Sequence, residues 1–377
     1  MSFTRIFLLS IAVLMCIGTL SSCGASEEQS SEAVSNESSE AVSEEESSEP
    51  EEVYPEYWGH TEYDRTENIG APEEITSYQT KITRRPTASA WGYVSEYMFE
   101  YNTDAGKVYM TFHETKWGTY NIGMWYLIDS NGKKHQMVEG YTDFEYVHIA
   151  NGVWSGGNHG NEALISIDLY NGETGEKIEL KNGESVVVNV LHIIEKTMLL
   201  SLPNPTSVRE DISGWTENDV YAEVTRKYTV TGPQVKLNVD YLFVKDTRMN
   251  RSYNCMFPVS KQYGLTCEMY DAEGNLLTTI ETPKENSNFN GNHNSGNKAT
   301  RAVIYGYEKP EYRFHVYINT VADSVDGFKG DYKTAFWDMS TSNKLYFTKF
   351  SNGSITTVKE GTEFHTECVW VFEYFAE

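Results

Sequence analysis

Hydrophobic and polar residues alternate along most of the chain between Tyr57 and Glu377. Val, Ile, Tyr, Phe and Thr are enriched in these runs, as in strands whose side chains point in turn to a core and to solvent. The pattern therefore predicts an all-β fold. The runs are Tyr93–Tyr101, Lys107–Phe112, Gly123–Ile128, Leu164–Tyr170, Val220–Val230, Val235–Val244, Arg301–Tyr307, Tyr312–Ile318, Lys344–Phe350 and Phe364–Tyr374.

Short sequences of Asn and Gly separate many of these runs. Both residues accept the positive φ angles of tight hairpins, so neighbouring strands should run antiparallel. The segment Val186–Leu200 leaves two possibilities open, because it begins like a strand but fits a short helix from His192 onward. The reversal signals are Asn131-Gly132, Asn171-Gly172, Asn182-Gly183, Gly274-Asn275 and Asn352-Gly353.

The alternating region covers residues 57–377, which is long enough for one large domain or two smaller ones. No proline- or serine-rich linker interrupts it. We expect one large antiparallel sandwich of two extended sheets. The alternative is two adjoining β-domains divided near residues 283–298, where the sequence becomes polar and glycine-rich.

The first 23 residues have the composition of a secretion signal. Arg5 supplies a positive charge, and Ile6–Leu20 is almost wholly apolar but short for a membrane span. The segment ends in Leu20-Ser21-Ser22-Cys23, which resembles the lipobox of bacterial lipoproteins. The resemblance implies that Cys23 is diacylated and holds the protein on the outer side of the cell membrane. An ordinary signal peptide with a chance cysteine is the alternative.

Residues 24–56 are mostly Ser and Glu and lack the apolar side chains that could bury a core. We expect a disordered tether here. The whole chain has a net charge of −25, and 43 acidic against 29 basic residues remain outside Arg5 and the acidic residues of Glu27–Glu56. No basic patch is visible that could neutralise phosphates, which argues against nucleic acid as a partner. The predicted membrane contact is through the lipid alone.

Three cysteines remain in the predicted β region, so a complete set of disulfides is impossible. Cys255 and Cys267 flank a predicted reversal and could form one bond, or both could be buried thiols, with Cys368 left over. No Cys-x-x-Cys zinc sequence is present.

The segment Val153–Tyr170, VWSGGNHGNEALISIDLY, places a histidine and a carboxylate in a glycine-rich loop. Its GGNHGNE portion resembles the first zinc motif of the aspartoacylase and succinylglutamate desuccinylase family. That resemblance implies that His159 and Glu162 are metal ligands, with His192 or His293 as the third. The context differs, because that family has a helix after the motif and here an alternating strand pattern follows.

The same two residues are candidates for acid–base chemistry. His159 can exchange a proton near neutral pH, and Glu162 can orient it. His113, Glu114 and His148 could complete the cluster, and a glycosidase would need two carboxylates such as Glu114 and Glu162. The structural alternative is that His159 ends a turn and Glu162 is a solvated edge charge.

Aromatic residues form 13% of the chain, with 26 Tyr and 8 Trp. Their ring faces suit sugar binding, although rings also fill strand positions. Trp154, Asn158 and Asn161 are the predicted binding residues because they lie in or beside the glycine-rich loop. The other tryptophan candidates are Trp91, Trp117, Trp125, Trp215 and Trp337.

The stretch Arg226–Pro258 reads as two long strands around Thr231-Gly232-Pro233, followed by an aromatic segment. This pattern is similar to the β-supersandwich of sugar epimerases and of the C-terminal parts of polysaccharide lyases. The predicted function is that of a surface lipoprotein that binds extracellular carbohydrate, with cleavage or modification as an extension. The alternatives are a non-catalytic adhesion module and a metal-dependent hydrolase. The sequence identifies no cofactor.

Overall fold

The structure is a computed structural model. It describes residues 73–87, 94–138, 143–204, 207–284, 291–294, 299–320, 333–348 and 355–375. The signal segment, Cys23, the predicted tether and Trp91 lie outside the described residues. Within the described part, no helix is long and apolar enough to cross a membrane.

The described residues form 23 strands, and their helical elements are the 3₁₀ turns Gly157–His159 and Glu217–Asp219. The first strands are β1 (Thr80–Pro86), β2 (Ser95–Thr103), β3 (Gly106–Glu114), β4 (Tyr120–Asp129), β5 (Lys134–Val138), β6 (Tyr146–Ala150), β7 (Val153–Ser155) and β8 (Glu162–Asn171). There follow β9 (Lys177–Ile178), β10 (Ser185–Val188), β11 (Leu191–Leu200), β12 (Val220–Thr231), β13 (Gln234–Phe243), β14 (Thr247–Ser260), β15 (Thr266–Tyr270) and β16 (Leu276–Glu281). The last are β17 (Gly291–Asn294), β18 (Arg301–Tyr305), β19 (Tyr312–Thr320), β20 (Lys333–Asp338), β21 (Ser342–Thr348), β22 (Thr356–Val358) and β23 (Glu363–Tyr374).

These strands form three antiparallel sheets. A ten-stranded sheet has the order β16-β15-β18-β19-β23-β13-β12-β11-β8-β9. A six-stranded sheet has the order β10-β1-β2-β3-β4-β5, and a seven-stranded sheet has the order β17-β20-β21-β14-β6-β7 with β22 beside β14. The prediction of an all-β antiparallel fold is confirmed.

The sheets are arranged as a sandwich of two layers. The ten-stranded sheet forms one layer, and the six- and seven-stranded sheets together supply the residues that pack against it. Aromatic pairs join the layers at ring-centroid distances of 5.1–6.1 Å: Phe112–Tyr228, Trp125–Phe314, Phe144–Trp370 and Tyr146–Tyr241. One continuous hydrophobic core contains residues of all three sheets. Strands on both sides of residues 283–298 belong to the ten-stranded sheet, and the boundary proposed there stays a prediction.

The ambiguous segment Val186–Leu200 forms strands β10 and β11 and contains no helix. β11 lies between β8 and β12 in the ten-stranded sheet. Most of its residues are buried, including neighbours on opposite faces of the strand. Burial on both faces gives a near-continuous apolar run, which alone does not separate a strand from a short helix.

Strict alternation along Leu164–Tyr170 would place Ile165, Ile167 and Leu169 on one face of β8. Leu169 is buried, but Ile165 is 50% exposed. Ser166 pairs with Lys196 and Leu164 pairs with Thr197, so Ile165 is an extra residue that forms a β-bulge. A bulge reverses the face to which the residues before it point.

Cys255, Cys267 and Cys368 are buried free thiols, so the open question about the first two is answered by two unpaired cysteines. The Cys255 thiol donates a hydrogen bond to the Tyr317 carbonyl at 3.2 Å. Burial raises the pKa of Cys267 well above its ordinary value, and a buried thiol of this kind acts as a small apolar side chain.

Candidate functional site

The glycine-rich loop between β7 and β8 is a closely packed turn. Gly157 has a φ of +51°, and a Cβ atom there would lie 2.5 Å from the Asp143 carboxylate. Gly160 has a φ of +68°, and a Cβ atom there would lie 1.9 Å from the Arg209 carbonyl oxygen. These two positions therefore require glycine for packing. The loop is held at its ends by a hydrogen bond from the Gly156 N–H to the Gly160 carbonyl at 2.9 Å.

On the outer side of this loop, His159 stacks on Trp154. The ring centroids are 4.6 Å apart and the planes are inclined by 17°. His159 Nδ1 lies 2.7 Å from the Ser207 carbonyl oxygen, so Nδ1 carries the hydrogen and donates it. The other ring nitrogen, Nε2, lies 3.8 Å from Asp143 Oδ2, and 21% of the His159 side chain is exposed.

Asp143 connects the loop to the seven-stranded sheet. Its carboxylate accepts hydrogen bonds from the Asn158 N–H at 2.6 Å and from Lys344 Nζ at 2.9 Å. Burial alone would raise the pKa of Asp143. The charges of Lys344 and His159 and the two hydrogen bonds outweigh burial and lower the pKa to about 2, so the carboxylate is ionised at neutral pH.

An array of flat side chains continues from this point across the outer face of the seven-stranded sheet. We call it the outer row, and its members are Trp337, Tyr346, Tyr253, Arg251, Trp154 and His159. The ring centroids of Trp337 and Tyr346 are 5.7 Å apart, and those of Tyr346 and Tyr253 are 4.7 Å apart. The Arg251 guanidinium carbon is 5.9 Å from the centroids of both Tyr253 and Trp154. The two tyrosines are buried, whereas the two tryptophans and His159 are half-buried.

The side chains of the other predicted binding residues, Asn158 and Asn161, contact residues on the inner side of the loop. Asn161 is fully buried and donates hydrogen bonds to the carbonyls of Trp154 and Leu202 at 3.0 and 2.8 Å. Asn158 is half-buried, and its side chain contacts His113. Burial lowers the pKa of His113 to about 3, and the contact with Asn158 opposes this only partly. His113 is therefore neutral at physiological pH.

Glu162 lies in a different environment from His159. It is fully buried and accepts hydrogen bonds from Tyr146 Oη at 2.6 Å and from Thr197 Oγ1 at 2.7 Å. Its carboxylate also lies 3.4 Å from Arg226 Nη2. The structure thus does not bring the His159 and Glu162 side chains to a common partner, and their joint catalytic or metal-binding role stays a prediction.

Glu162 belongs to a group that we call the buried cluster: Glu145, Glu162, Glu195, Arg226 and Asn121. Arg226 Nη2 lies 2.7 Å from Glu195, and Arg226 Nη1 donates to Asn121 at 3.1 Å. Glu145 accepts the Ile122 N–H at 2.7 Å and the Tyr228 hydroxyl at 3.2 Å. Glu162 and Glu195 thus share a single guanidinium, and Glu145 experiences its charge without a direct ion pair.

One guanidinium can balance one carboxylate, so the other carboxyl groups keep protons more readily than usual. Burial raises the pKa of Glu145 to about 7 and that of Glu195 to about 8, although the positive charge of Arg226 opposes both shifts. Nearby His148 is also buried, which lowers its pKa to about 3. The core therefore holds carboxylic acids in the buried cluster and a neutral imidazole at His148.

Glu114 points to the inner face at one end of the six-stranded sheet. It lies 3.1 Å from Arg84 Nη2 and accepts the Tyr120 hydroxyl at 3.1 Å and the Ser95 hydroxyl. The Arg84 guanidinium also lies over the Tyr97 ring at 4.4 Å. Glu114 and His113 are neighbours in β3 and therefore face opposite sides of the sheet.

The predicted third metal ligands are placed as follows. His192 Nδ1 lies 3.1 Å from the Thr229 hydroxyl on the neighbouring strand, and burial lowers its pKa to about 4. His293 is in β17, and its side chain lies outside the described residues. Among the described side chains, no three His, Cys, Asp or Glu residues converge in a way that could hold a metal ion.

The tryptophan candidates have different positions. Trp125 is buried in the core, and Trp215 packs against a small separate hydrophobic cluster. Only Trp154 and Trp337 belong to the outer row. Sequence reasoning missed Asp143 and Lys344, which lie 201 positions apart and meet through strand pairing. No local signal in the sequence marks either residue.

No family model matches this chain, and no curated protein matches it. Among solved structures, it is similar to the GH36 alpha-galactosidase AgaB from Geobacillus stearothermophilus, with 10% identity, a TM-score of 0.42, and coverage of 78% of this chain and 41% of that chain. The galactosidase domain of the alpha-galactosidase-sucrose kinase AgaSK has 10% identity and a TM-score of 0.41, over 74% of this chain and 40% of that chain. A putative aldose 1-epimerase from Escherichia coli K12 has 10% identity and a TM-score of 0.33, over 74% of this chain and 100% of that chain. The chain thus spans roughly two fifths of the length of the two galactosidase chains.

Proposed function

We propose that this protein binds carbohydrate on the outer face of its seven-stranded sheet, with Trp154 and His159 as the main contacts. The observation that carries this proposal is their stack, with centroids 4.6 Å apart, beside the ionised Asp143 carboxylate. Ring faces pack on the C–H faces of sugars, and charged groups hydrogen-bond their hydroxyls. The stack and the carboxylate supply both kinds of contact within one loop.

The half-buried rings of the outer row lie at its two ends, farther apart than a single sugar requires. Trp337 forms its far end, two strands away from Arg251 in the sheet order. Half-buried rings at both ends of the row suit an extended oligosaccharide better than a monosaccharide. Lys344 and Arg251 add donors for hydroxyl oxygens along the same face.

The proposed location is the outer side of the cell membrane, through a lipid on Cys23. A Ser- and Glu-rich tether of residues 24–56 would hold the sandwich away from the membrane surface. Cys23→Ala should release the protein from the membrane fraction while the sandwich keeps its melting temperature. Retention of the variant in the membrane fraction would contradict the anchor.

Binding is tested by titration calorimetry, after a glycan array has selected an oligosaccharide. Trp154→Ala should weaken binding by about 1–3 kcal/mol, the value of a well-packed aromatic contact. Tyr307→Ala is the matched control, because Tyr307 is 40% exposed and lies outside the outer row. Equal affinity of the Trp154 variant and wild type would contradict the proposed site.

The position of Asp143 beside His159 favours a second candidate, acid–base catalysis on a bound glycan. His159 Nδ1 is occupied by the Ser207 carbonyl, so Nε2, which faces Asp143 at 3.8 Å, is the nitrogen that would exchange a proton. Turnover of the selected glycan, lost in His159→Ala and Asp143→Asn while binding remains, would support catalysis. Unaltered glycan after prolonged incubation with wild type would leave binding as the function.

A further inference from the structure

The outer face of the ten-stranded sheet carries a second group of stacked side chains, in a different sheet from the outer row. The Arg301 guanidinium carbon lies 4.9 Å from the Tyr270 centroid and 5.4 Å from the Tyr317 centroid. These residues belong to the adjacent strands β15, β18 and β19. Rings on both sides hold the guanidinium plane in place, and its Nη2 lies 3.5 Å from His315 Nδ1.

Arg313, the second residue of β19 in the same sheet, repeats this arrangement. Its guanidinium carbon lies 5.2 Å from the Tyr305 centroid and 4.6 Å from the Phe375 centroid. It lines a cavity of about 390 Å³, the size range of small-ligand pockets. The other lining residues are Pro310, Glu311, Tyr374 and Phe375.

The acidic side chains around these arginines have other partners. Glu311 pairs with Lys309 at 3.1 Å, and Glu373 pairs with His315. Glu268 accepts hydrogen bonds from the hydroxyls of Tyr270 at 2.6 Å and Tyr305 at 3.0 Å. Among the described residues, no carboxylate lies within ion-pair distance of the Arg313 guanidinium, whose buried Nε has no hydrogen-bond partner there.

We infer that the Arg313 pocket is a second binding site and that it takes a carboxylated sugar, such as a uronic acid within an oligosaccharide. The guanidinium would hold the sugar carboxylate through paired charge-assisted hydrogen bonds. The half-exposed Phe375 ring would pack on the C–H face of the same sugar. Arg301 lies on the same face and would contact a neighbouring sugar unit.

The chain as a whole is acidic, and its net charge of −25 repels a polyanion at long range. Affinity for a carboxylated sugar would therefore come from short-range contacts with the Arg313 guanidinium and the Phe375 ring. A neutral sugar leaves the guanidinium donors without an anionic partner. A flexible acidic peptide supplies the anion but no pyranose face for Phe375.

The test is titration calorimetry of the full-length protein with trigalacturonic acid, with neutral galactotriose as the matched ligand. Arg313→Gln should weaken trigalacturonic acid binding about tenfold or more, because it removes a charge-assisted pair. Arg313→Lys should restore only part of the loss, because an ammonium lacks the planar fork. Arg248→Gln is the control, since Arg248 is an exposed arginine on the seven-stranded sheet.

Trp154→Ala separates this site from the outer row. Unchanged binding of trigalacturonic acid by that variant, together with loss in Arg313→Gln, supports a second site whatever the outcome for the first. Equal binding of the neutral and acidic trisaccharides, or wild-type affinity in Arg313→Gln, would overturn the proposal. So would absence of binding by wild type, or displacement of the sugar by a short polyglutamate peptide at the same concentration.

Discussion

The outer row and the buried cluster use the same residue types in opposite ways. His159 and Glu162 are three positions apart, yet one is part of the outer row and the other is in the core. At the outer row, the ionised Asp143 carboxylate lies beside the partly exposed rings of Trp154 and His159. In the buried cluster, two carboxyl groups share Arg226, and all three are excluded from solvent.

This contrast shows how position, and not residue type, sets the chemistry. Lys344 and His159 hold the pKa of Asp143 low despite burial, so Asp143 is an anion at neutral pH beside the outer row. Burial raises the pKa values of Glu145 and Glu195 more than Arg226 lowers them, so these groups change charge near neutral pH. The first environment suits ligand binding, and the second connects stability to pH.

The largest expected effect is on the buried cluster. Arg226→Met should destabilise the fold by about 3–5 kcal/mol, because it leaves buried carboxyl groups without their cation. Urea unfolding measures this change. Arg248→Met, an exposed arginine, should change the free energy of unfolding by less than about 0.5 kcal/mol. Equal stability of both variants would show that Arg226 does not hold the core together.

A pair of substitutions at neighbouring positions sharpens the comparison. Glu162→Gln should reduce the free energy of unfolding by about 1–3 kcal/mol. The substitution removes the negative charge that faces Arg226 and that accepts hydrogen bonds from the hydroxyls of Tyr146 and Thr197. The folded fraction should bind the selected glycan like wild type. His159→Ala should do the reverse, with weaker binding and a loss of stability below about 1 kcal/mol. An identical profile for both variants would remove the distinction between the two regions.

The buried carboxyl groups also predict a dependence of stability on pH. Their folded pKa values, about 7 for Glu145 and about 8 for Glu195, lie above the ordinary value of 4.5. The folded state therefore holds these protons more tightly than the unfolded chain, and that contribution is lost as the pH rises through the folded pKa values. His113 and His148 have folded pKa values of about 3 against an ordinary 6.5, so their contribution is lost as the pH falls below 6.5.

Between pH 6.5 and 8 the titration of Glu145 and Glu195 lowers the free energy of unfolding, and the titration of His113 and His148, which acts below pH 6.5, does not offset it. Stability should fall across this range, by up to about 1.4 kcal/mol per pH unit for each group. Glu195→Gln should flatten the slope. Glu96→Gln is the control, because Glu96 lies outside the buried cluster and pairs with the partly exposed Arg85. Urea unfolding at several pH values measures the slope. A wild-type stability that rises from pH 6.5 to 8 would contradict the predicted direction.

The strands were largely predictable, because alternation and Asn-Gly turns are local signals. The bulge at Ile165 was not, since it depends on the register between β8 and β11. That bulge turns Glu162 to the core, where simple alternation from Ile167 would place it on the other face. Positive φ angles at Gly160 and Asn161 separate the direction of His159 from that of Glu162.

The outer row was predictable only in its separate members. Trp154 and Trp337 could be chosen as aromatic candidates, but they are 183 positions apart. Only the strand order β20-β21-β14-β6-β7 brings them into the same row. Asp143 precedes β6 without any motif. Such contacts depend on long-range pairing, which one sequence does not specify.

The central claim is that ligand binds at the outer row and leaves the core unchanged. The most direct test is an NMR titration of ¹⁵N-tryptophan-labelled protein with the selected glycan. The indole N–H signals of Trp154 and Trp337 should shift, whereas those of the core residues Trp125 and Trp370 should not. Unmoved signals of Trp154 and Trp337 at a saturating concentration of bound glycan would contradict this account.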